Sequence, residues 1–297
     1  MENSTSRRDA MKKMVGGASM AALTGIVGTR FDLADKAMGT TLKGRINHSV
    51  CRWCYGSIQL DDLCKSAKKI GLQSIELLNP EEFETVKKHD LTCAMVSGIR
   101  DGYGIAKGWN RTENHEGLVK LYDYLINETA KAGFTNLICF SGNREGLDDA
   151  QGIKNCAEGL KKIMKLAESK KVTIIMELLN SKVDHKDYQC DHTAWGVELC
   201  KQVGSDRFKL LYDIYHMQIM EGDVIRTIKE NQQYIGHYHT GGVPGRNEID
   251  ESQELYYPAI MKAITETGFK GFVAQEFIPK REDKIGSLKQ GVTICDV

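Results

Sequence analysis

Proline is scarce in this chain, with four among 297 residues, and no apolar run reaches the roughly 18 residues that a membrane-crossing helix needs. The first scarcity, with no low-complexity tract, leaves no linker after residue 42 at which to divide the chain. Net charge is also missing, because 40 basic side chains meet 40 acidic ones. A neutral surface does not gather phosphate backbones, so nucleic acid is not an expected partner. Cysteine is present but lacks a framework: nine residues, an odd number, are scattered from Cys51 to Cys295. That pattern reads as buried free thiols. Cys51-Arg52-Trp53-Cys54 has the spacing of a redox or metal pair but no second pair beside it, and reads as two core or strand-end cysteines. What remains is ordinary globular material, 41% hydrophobic and 27% charged, with ample apolar residues for a core.

The first 37 residues differ from the rest. Arg7-Arg8, with Lys12 and Lys13, precede a weakly apolar, glycine-bearing stretch from Met14 to Val27 with no charge before Arg30. A basic segment followed by a short apolar one reads as an export leader, too short to span a bilayer as a helix. The paired arginines resemble a twin-arginine signal, which carries folded proteins. That resemblance implies export to the periplasm, with any metal acquired first and no membrane anchor after processing; a leader that does not act would leave the protein cytoplasmic.

From residue 42 to 297 short β-rich runs alternate with amphipathic stretches. Eight strands are expected, at 45–52, 74–78, 92–99, 136–141, 172–179, 208–215, 235–240 and 271–277. Between them apolar residues recur three or four apart, as at Leu60, Leu63, Ala67 and Ile70. Glycines at 71, 133, 204 and 268 suit helix C-caps. Eight strand-helix units without a composition shift predict one α/β domain, a single (β/α)8 TIM barrel. The long connection 101–116, rich in Gly, Asn and charge, is expected to act as a lid.

Four strands carry a ligand-type residue near the C-terminal end, where barrel active sites are built. These are Glu177, Asp213, the pair His237 and His239, and Glu276. Burying one unpaired carboxylate costs several kcal/mol, so three at equivalent strand ends require a shared counter-charge. A divalent metal ion supplies it. The mixed O/N donor set suits Mg²⁺, Mn²⁺, Co²⁺ or Zn²⁺, and the absence of thiolates speaks against a structural zinc site. His237 and His239 share a strand face by the two-residue period; His239, nearer the strand end, is the better ligand.

The same segments carry a family resemblance. Glu177-Leu-Leu-Asn180, Tyr212-Asp-Ile-Tyr-His-Met-Gln218, His237-Tyr-His239 with Pro244-Gly-Arg-Asn-Glu248, and Gln275-Glu-Phe277 resemble hydroxypyruvate isomerase of the xylose-isomerase-like barrel superfamily. The resemblance runs from about residue 45 to 290. It implies a metal held by Glu177, Asp213, His239 and Glu276, with Glu177 and Glu276 as the acid/base pair. It further implies a small sugar or hydroxy-keto acid substrate, isomerised through an enediolate, hydroxypyruvate giving tartronate semialdehyde. His239 matches the wider superfamily, whereas hydroxypyruvate isomerase tends to have Gln there; a ketose 3-epimerase or inosose-type dehydratase is the alternative on the same site.

Around this core, His216 is placed to donate a hydrogen bond to a substrate oxygen. Arg246 is placed either to bind a substrate carboxylate or to pair with Glu248. Trp53 and Trp109 are read as packing residues or as covers for an apolar substrate face. Two other classes share the fold or the site. A DNA-repair endonuclease would need more ligands for three metals and a basic surface, and a non-catalytic sugar-acid binding protein would not need both acid/base residues. Self-association is left open by the sequence. Deleting residues 1–37 is expected to leave the barrel's thermal transition unchanged, since the segment has little apolar surface to bury; a large drop in Tm would contradict the leader reading.

Overall fold

A computed structural model describes residues 41–297; the expected leader, 1–37, lies outside the described residues. Seven strands form one sheet: β1 (Asn47–Cys51), β2 (Ser74–Glu76), β3 (Asn136–Cys139), β4 (Thr173–Glu177), β5 (Phe208–Asp213), β6 (Ile235–Thr240) and β7 (Phe272–Gln275). Their spatial order is β2-β1-β7-β6-β5-β4-β3, and every neighbouring pair is parallel. The helices are α1 (Leu60–Ile70), α2 (Phe83–Lys87), α3 (His115–Ala132), α4 (Asp149–Lys170), α5 (Thr193–Val203), α6 (Ile214–Met220), α7 (Val224–Asn231), α8 (Tyr257–Glu266) and α9 (Lys284–Cys295).

The expected strand at 92–99 is not a regular strand. Its residues nevertheless stand between β2 and β3, with parallel bridges Ser74 to Thr92, Leu78 to Val96 and Val96 to Leu137. Backbone bonds run to both sides: Leu77 N–H donates to the Met95 carbonyl, Val96 N–H to that of Asn136, and Ile138 N–H to that of Val96. The segment fills the eighth place in the ring without continuous pairing. Just past it, at Gly98, the backbone lies so close to β3 that an added Cβ would stand 2.2 Å from the Ile138 carbonyl oxygen and 2.6 Å from Tyr122 Oη.

Parallel strands buried on both faces need continuous apolar runs. Ile174, Ile175, Met176, Leu210 and Leu211 supply them and are fully buried. The helices cover this ring with one apolar stripe each, as in α1, where Leu63, Cys64, Ala67 and Ile70 face inward. Gly71, Gly133 and Gly204 end α1, α3 and α5 with positive φ, the conformation only glycine adopts freely. Gly268, φ +81°, follows the cap of α8 by one residue. All nine cysteines are buried and free, and no helix among the described residues is long and apolar enough to cross a membrane.

Gly98→Ala should destabilise the protein by about 1–3 kcal/mol, the usual range for overpacking a filled interior. Urea unfolding of the two proteins measures it. Unchanged stability would show that the 92–97 segment has room to shift.

Candidate active site

The strand register explains why distant acidic residues meet. Asp213 pairs in register with His239, and Thr240 with Gln275, the residue before Glu276. Glu276 N–H donates to the Thr240 carbonyl at 3.0 Å, while Glu177 is the last residue of β4. Each carboxylate thus leaves its strand at the same rim. One ligand atom from each of Glu177, Asp213, His239 and Glu276 lies within 4.8 Å of all the others, and all four residues are buried. His239, not His237, is the imidazole among them.

Asp213 is fixed by the chain's turn into α6. It is the N-cap, with Oδ1 accepting from Tyr215 N–H at 2.8 Å and His216 N–H at 3.3 Å. Its Oδ2 is left for the cluster. Trp53, on a short turn after β1, donates Nε1–H to Glu276 Oε1 at 2.7 Å. Arg246 places Nη2 2.5 Å from Glu276 Oε2 and 3.0 Å from Asp213 Oδ2, with its guanidinium 5.2 Å from the Trp53 ring centre and 5.4 Å from that of Tyr215. Arg246 has φ +57°. A non-glycine residue there pays about 1–2 kcal/mol, offset by bonds of its N–H to the Gly242 carbonyl and of Ile278 N–H to its own carbonyl.

Charge and orphaned atoms test whether a cation fits. With all three carboxyls ionised and His239 neutral, as metal ligands must be, the set carries two negative charges beyond Arg246, which one divalent cation would cancel. Glu177 Oε1 and His239 Nδ1 are buried with no hydrogen-bond partner. His239 Nδ1 nonetheless stands 2.6 Å from Glu276 Oε2 and 3.6 Å from Glu177 Oε1. Lone-pair atoms crowded together without a directed proton are what ligands of a shared ion present. The oxygen-rich, thiolate-free set fits a divalent metal.

The surroundings also split the carboxyls. Burial lifts Asp213 to about 8, with Glu276 adding to the rise and Arg246 opposing it. Burial likewise raises Glu177. Glu276 is buried too, but Arg246 and His239 outweigh that and hold it well below the usual carboxylate range.

A cavity of about 320 Å³ opens onto this cluster. Glu177, Glu276, Arg246, His185 and Trp53 line its polar end, and Leu77, Ile99, Ile105, Ile138, Phe140 and Leu179 its wall. Several expectations are corrected here. Arg246 does not pair with Glu248, whose Oε1 instead accepts from Lys280 N–H, Arg281 N–H and Ser287 Oγ–H. Trp109 covers no substrate: it is fully buried against Tyr122 and His115. Within the expected lid 101–116, Ile105 reaches the cavity, whereas Trp109, Asn110, Asn114 and His115 are core.

His216 lies behind Asp213, Nε2 3.5 Å from Oδ2, with Nδ1 2.6 Å from Asn180 Nδ2. It is fully buried and does not line the cavity. His185, 5.3 Å from the His216 ring, takes the lining position. Sequence reasoning also passed over Glu76, whose Oε1 lies 2.8 Å from Nε2 of both His237 and His239. Its signal was available: Ser74-Ile75-Glu76 is another strand ending in a carboxylate.

The chain belongs to the xylose isomerase-like TIM barrel family, whose model matches residues 64–292. Among curated relatives, it is 34% identical over 120 residues to the 2-oxo-tetronate isomerase of Cupriavidus necator, across 40% of this chain and 45% of that one. It is 27% identical over 141 residues to the hydroxypyruvate isomerase of Escherichia coli, across 48% and 54% respectively. The matches thus span about half the length of these relatives. An AP endonuclease family 2 structure from Brucella melitensis superposes with a TM-score of 0.71 at 22% identity, covering 83% of this chain and 97% of that one, and so shares the fold.

The raised carboxyls predict how a metal binds. Without metal, Asp213 keeps its proton up to about pH 8. A cation needs the carboxylate and the neutral imidazole, and Glu177 and His239 are raised as well, so binding at pH 7 should expel at least one proton, and apparent affinity should weaken by about tenfold or more for each pH unit below 8. Calorimetric Mn²⁺ titrations in buffers of different ionisation enthalpy measure this. A pH-independent affinity between 6 and 8 would contradict it.

Proposed function

We propose that this chain is a metal-dependent isomerase of small hydroxy-keto acids or sugars, with conversion of hydroxypyruvate to tartronate semialdehyde as its type reaction. The observation that carries the reading is the meeting of Glu177, Asp213, His239 and Glu276 within 4.8 Å at the cavity's polar end. The two isomerase relatives support the reaction class.

The reaction removes a proton from C3, passes through an enediolate and returns a proton to C2, while the hydroxyl proton moves from O3 to O2. A bound divalent ion would supply electrophilic stabilisation of the negative charge developing on these oxygens. Glu276, held ionised by Arg246 and His239, is the group suited to take the carbon-bound proton. Glu177, whose carboxyl is raised by burial, is suited to give one. Two carboxyls pushed apart in acidity at one site supply the base and the acid. Arg246 lines the cavity, so its guanidinium can also meet a substrate carboxylate. The apolar wall excludes water from the enediolate and strengthens each of these charges.

Glu276→Gln should abolish solvent-deuterium incorporation into hydroxypyruvate, followed by NMR with Mn²⁺ present, while keeping much of the metal affinity. The amide oxygen still occupies a coordination position but accepts no proton at neutral pH. Asp213→Asn should regain activity in excess Mn²⁺. Rescue of Glu276→Gln by metal would reduce that residue to a ligand and overturn the two-carboxyl mechanism.

A further inference from the structure

We propose that Glu76 is a positioning residue that fixes the tautomer and orientation of His239, and thereby sets the affinity of the carboxylate cluster for a divalent ion. The proposal rests on the metal-dependent reading above.

Glu76 is the last residue of β2 and is fully buried. Among the described residues, neither Lys nor Arg bonds it. Its charge is met by two imidazoles, His237 and His239, each with Nε2 2.8 Å from the same oxygen, Oε1. Those rings stand on one face of β6, 5.2 Å apart and nearly perpendicular. Two ring nitrogens converging on one carboxylate oxygen make Glu76 the acceptor of both bonds, so each Nε2 carries the hydrogen.

In a neutral imidazole, the form a metal ligand must take, that choice decides the other nitrogen. With Nε2–H bound to Glu76, the lone pair of His239 sits on Nδ1, the atom 2.6 Å from Glu276 Oε2 and without a hydrogen-bond partner. The alternative partner for Nε2 is Cys51 Sγ, 3.7 Å away and a weak acceptor. Without Glu76 the ring would have no strong reason to present Nδ1 to the cluster. The choice of an acid also matters. A neutral amide would anchor the ring at lower desolvation cost, whereas an anion behind the ring makes its far nitrogen a better donor to a metal. His237 supplies the second hydrogen bond that pins the shared oxygen. The chain then turns away at Leu77, φ +58°, whose N–H donates to the Met95 carbonyl at 2.7 Å.

The test uses wild type, Glu76→Gln and Glu76→Leu, titrated calorimetrically with Mn²⁺, and ¹⁵N-histidine NMR of the Zn²⁺-loaded and metal-free proteins. Wild type should bind one ion and, once loaded with Zn²⁺, show His239 as the Nε2–H tautomer. Glu76→Gln, which keeps an acceptor and loses the charge, should keep that tautomer and bind roughly tenfold more weakly; Glu76→Leu should mix tautomers and lose roughly a hundredfold. A merely structural role would lower Tm without moving the nitrogen shifts. Unchanged affinity and tautomer in the variants would overturn the proposal, as would two ions in wild type, since Glu76 would then be a ligand itself. Should Glu76→Leu not fold, the near-isosteric Glu76→Gln still decides through affinity. A wild type that binds no divalent ion would instead remove the metal reading, and this proposal with it.

Discussion

Repulsion among three buried carboxylates at one rim of the barrel is the constraint on which the rest of this structure depends. Glu177, Asp213 and Glu276 are brought together by strand register, so the fold itself creates the electrostatic problem. Everything nearby is arranged against it. Arg246 is held in a costly backbone conformation to face two of the three, Trp53 donates to one, and α6 begins where it can cap another. With all three ionised, the charge these groups leave over matches that of the one divalent ion proposed for the site.

The same crowding gives the carboxyls different characters. Glu276 sits where the positive and donating groups converge, and Glu177 where burial prevails. Two residues of one chemical type thus acquire opposite proton habits from their neighbours alone. The apolar wall from Leu77 to Leu179 keeps the contrast sharp, because water there would screen the fields that create it.

Much of this was legible in the sequence, for a physical reason. A carboxylate at the end of a buried apolar run is expensive, and repetition of that expense at Glu177, Asp213 and Glu276 marks a shared counter-charge. The two-residue strand period placed His237 and His239 on one face. The segment at 92–97 was harder: its composition is that of a strand, but it meets β2 and β3 only through isolated bridges, and whether a segment pairs continuously is decided by tertiary packing. His185 and the pairing of Arg246 were hidden likewise, since loop side chains find partners only after the barrel has brought distant loops together. Glu76 was hidden differently. It stands at the C-terminal end of a strand, as Glu177 and Asp213 do, yet its partners lie more than 160 residues away.

Arg246 carries a consequence for how the protein is assembled. Its guanidinium already stands against Asp213 and Glu276, so the barrel can close before any metal arrives. If the cluster holds a divalent ion, as proposed, closing the barrel and loading the ion are separable steps, because the ion is not the sole counter-charge of Asp213 and Glu276.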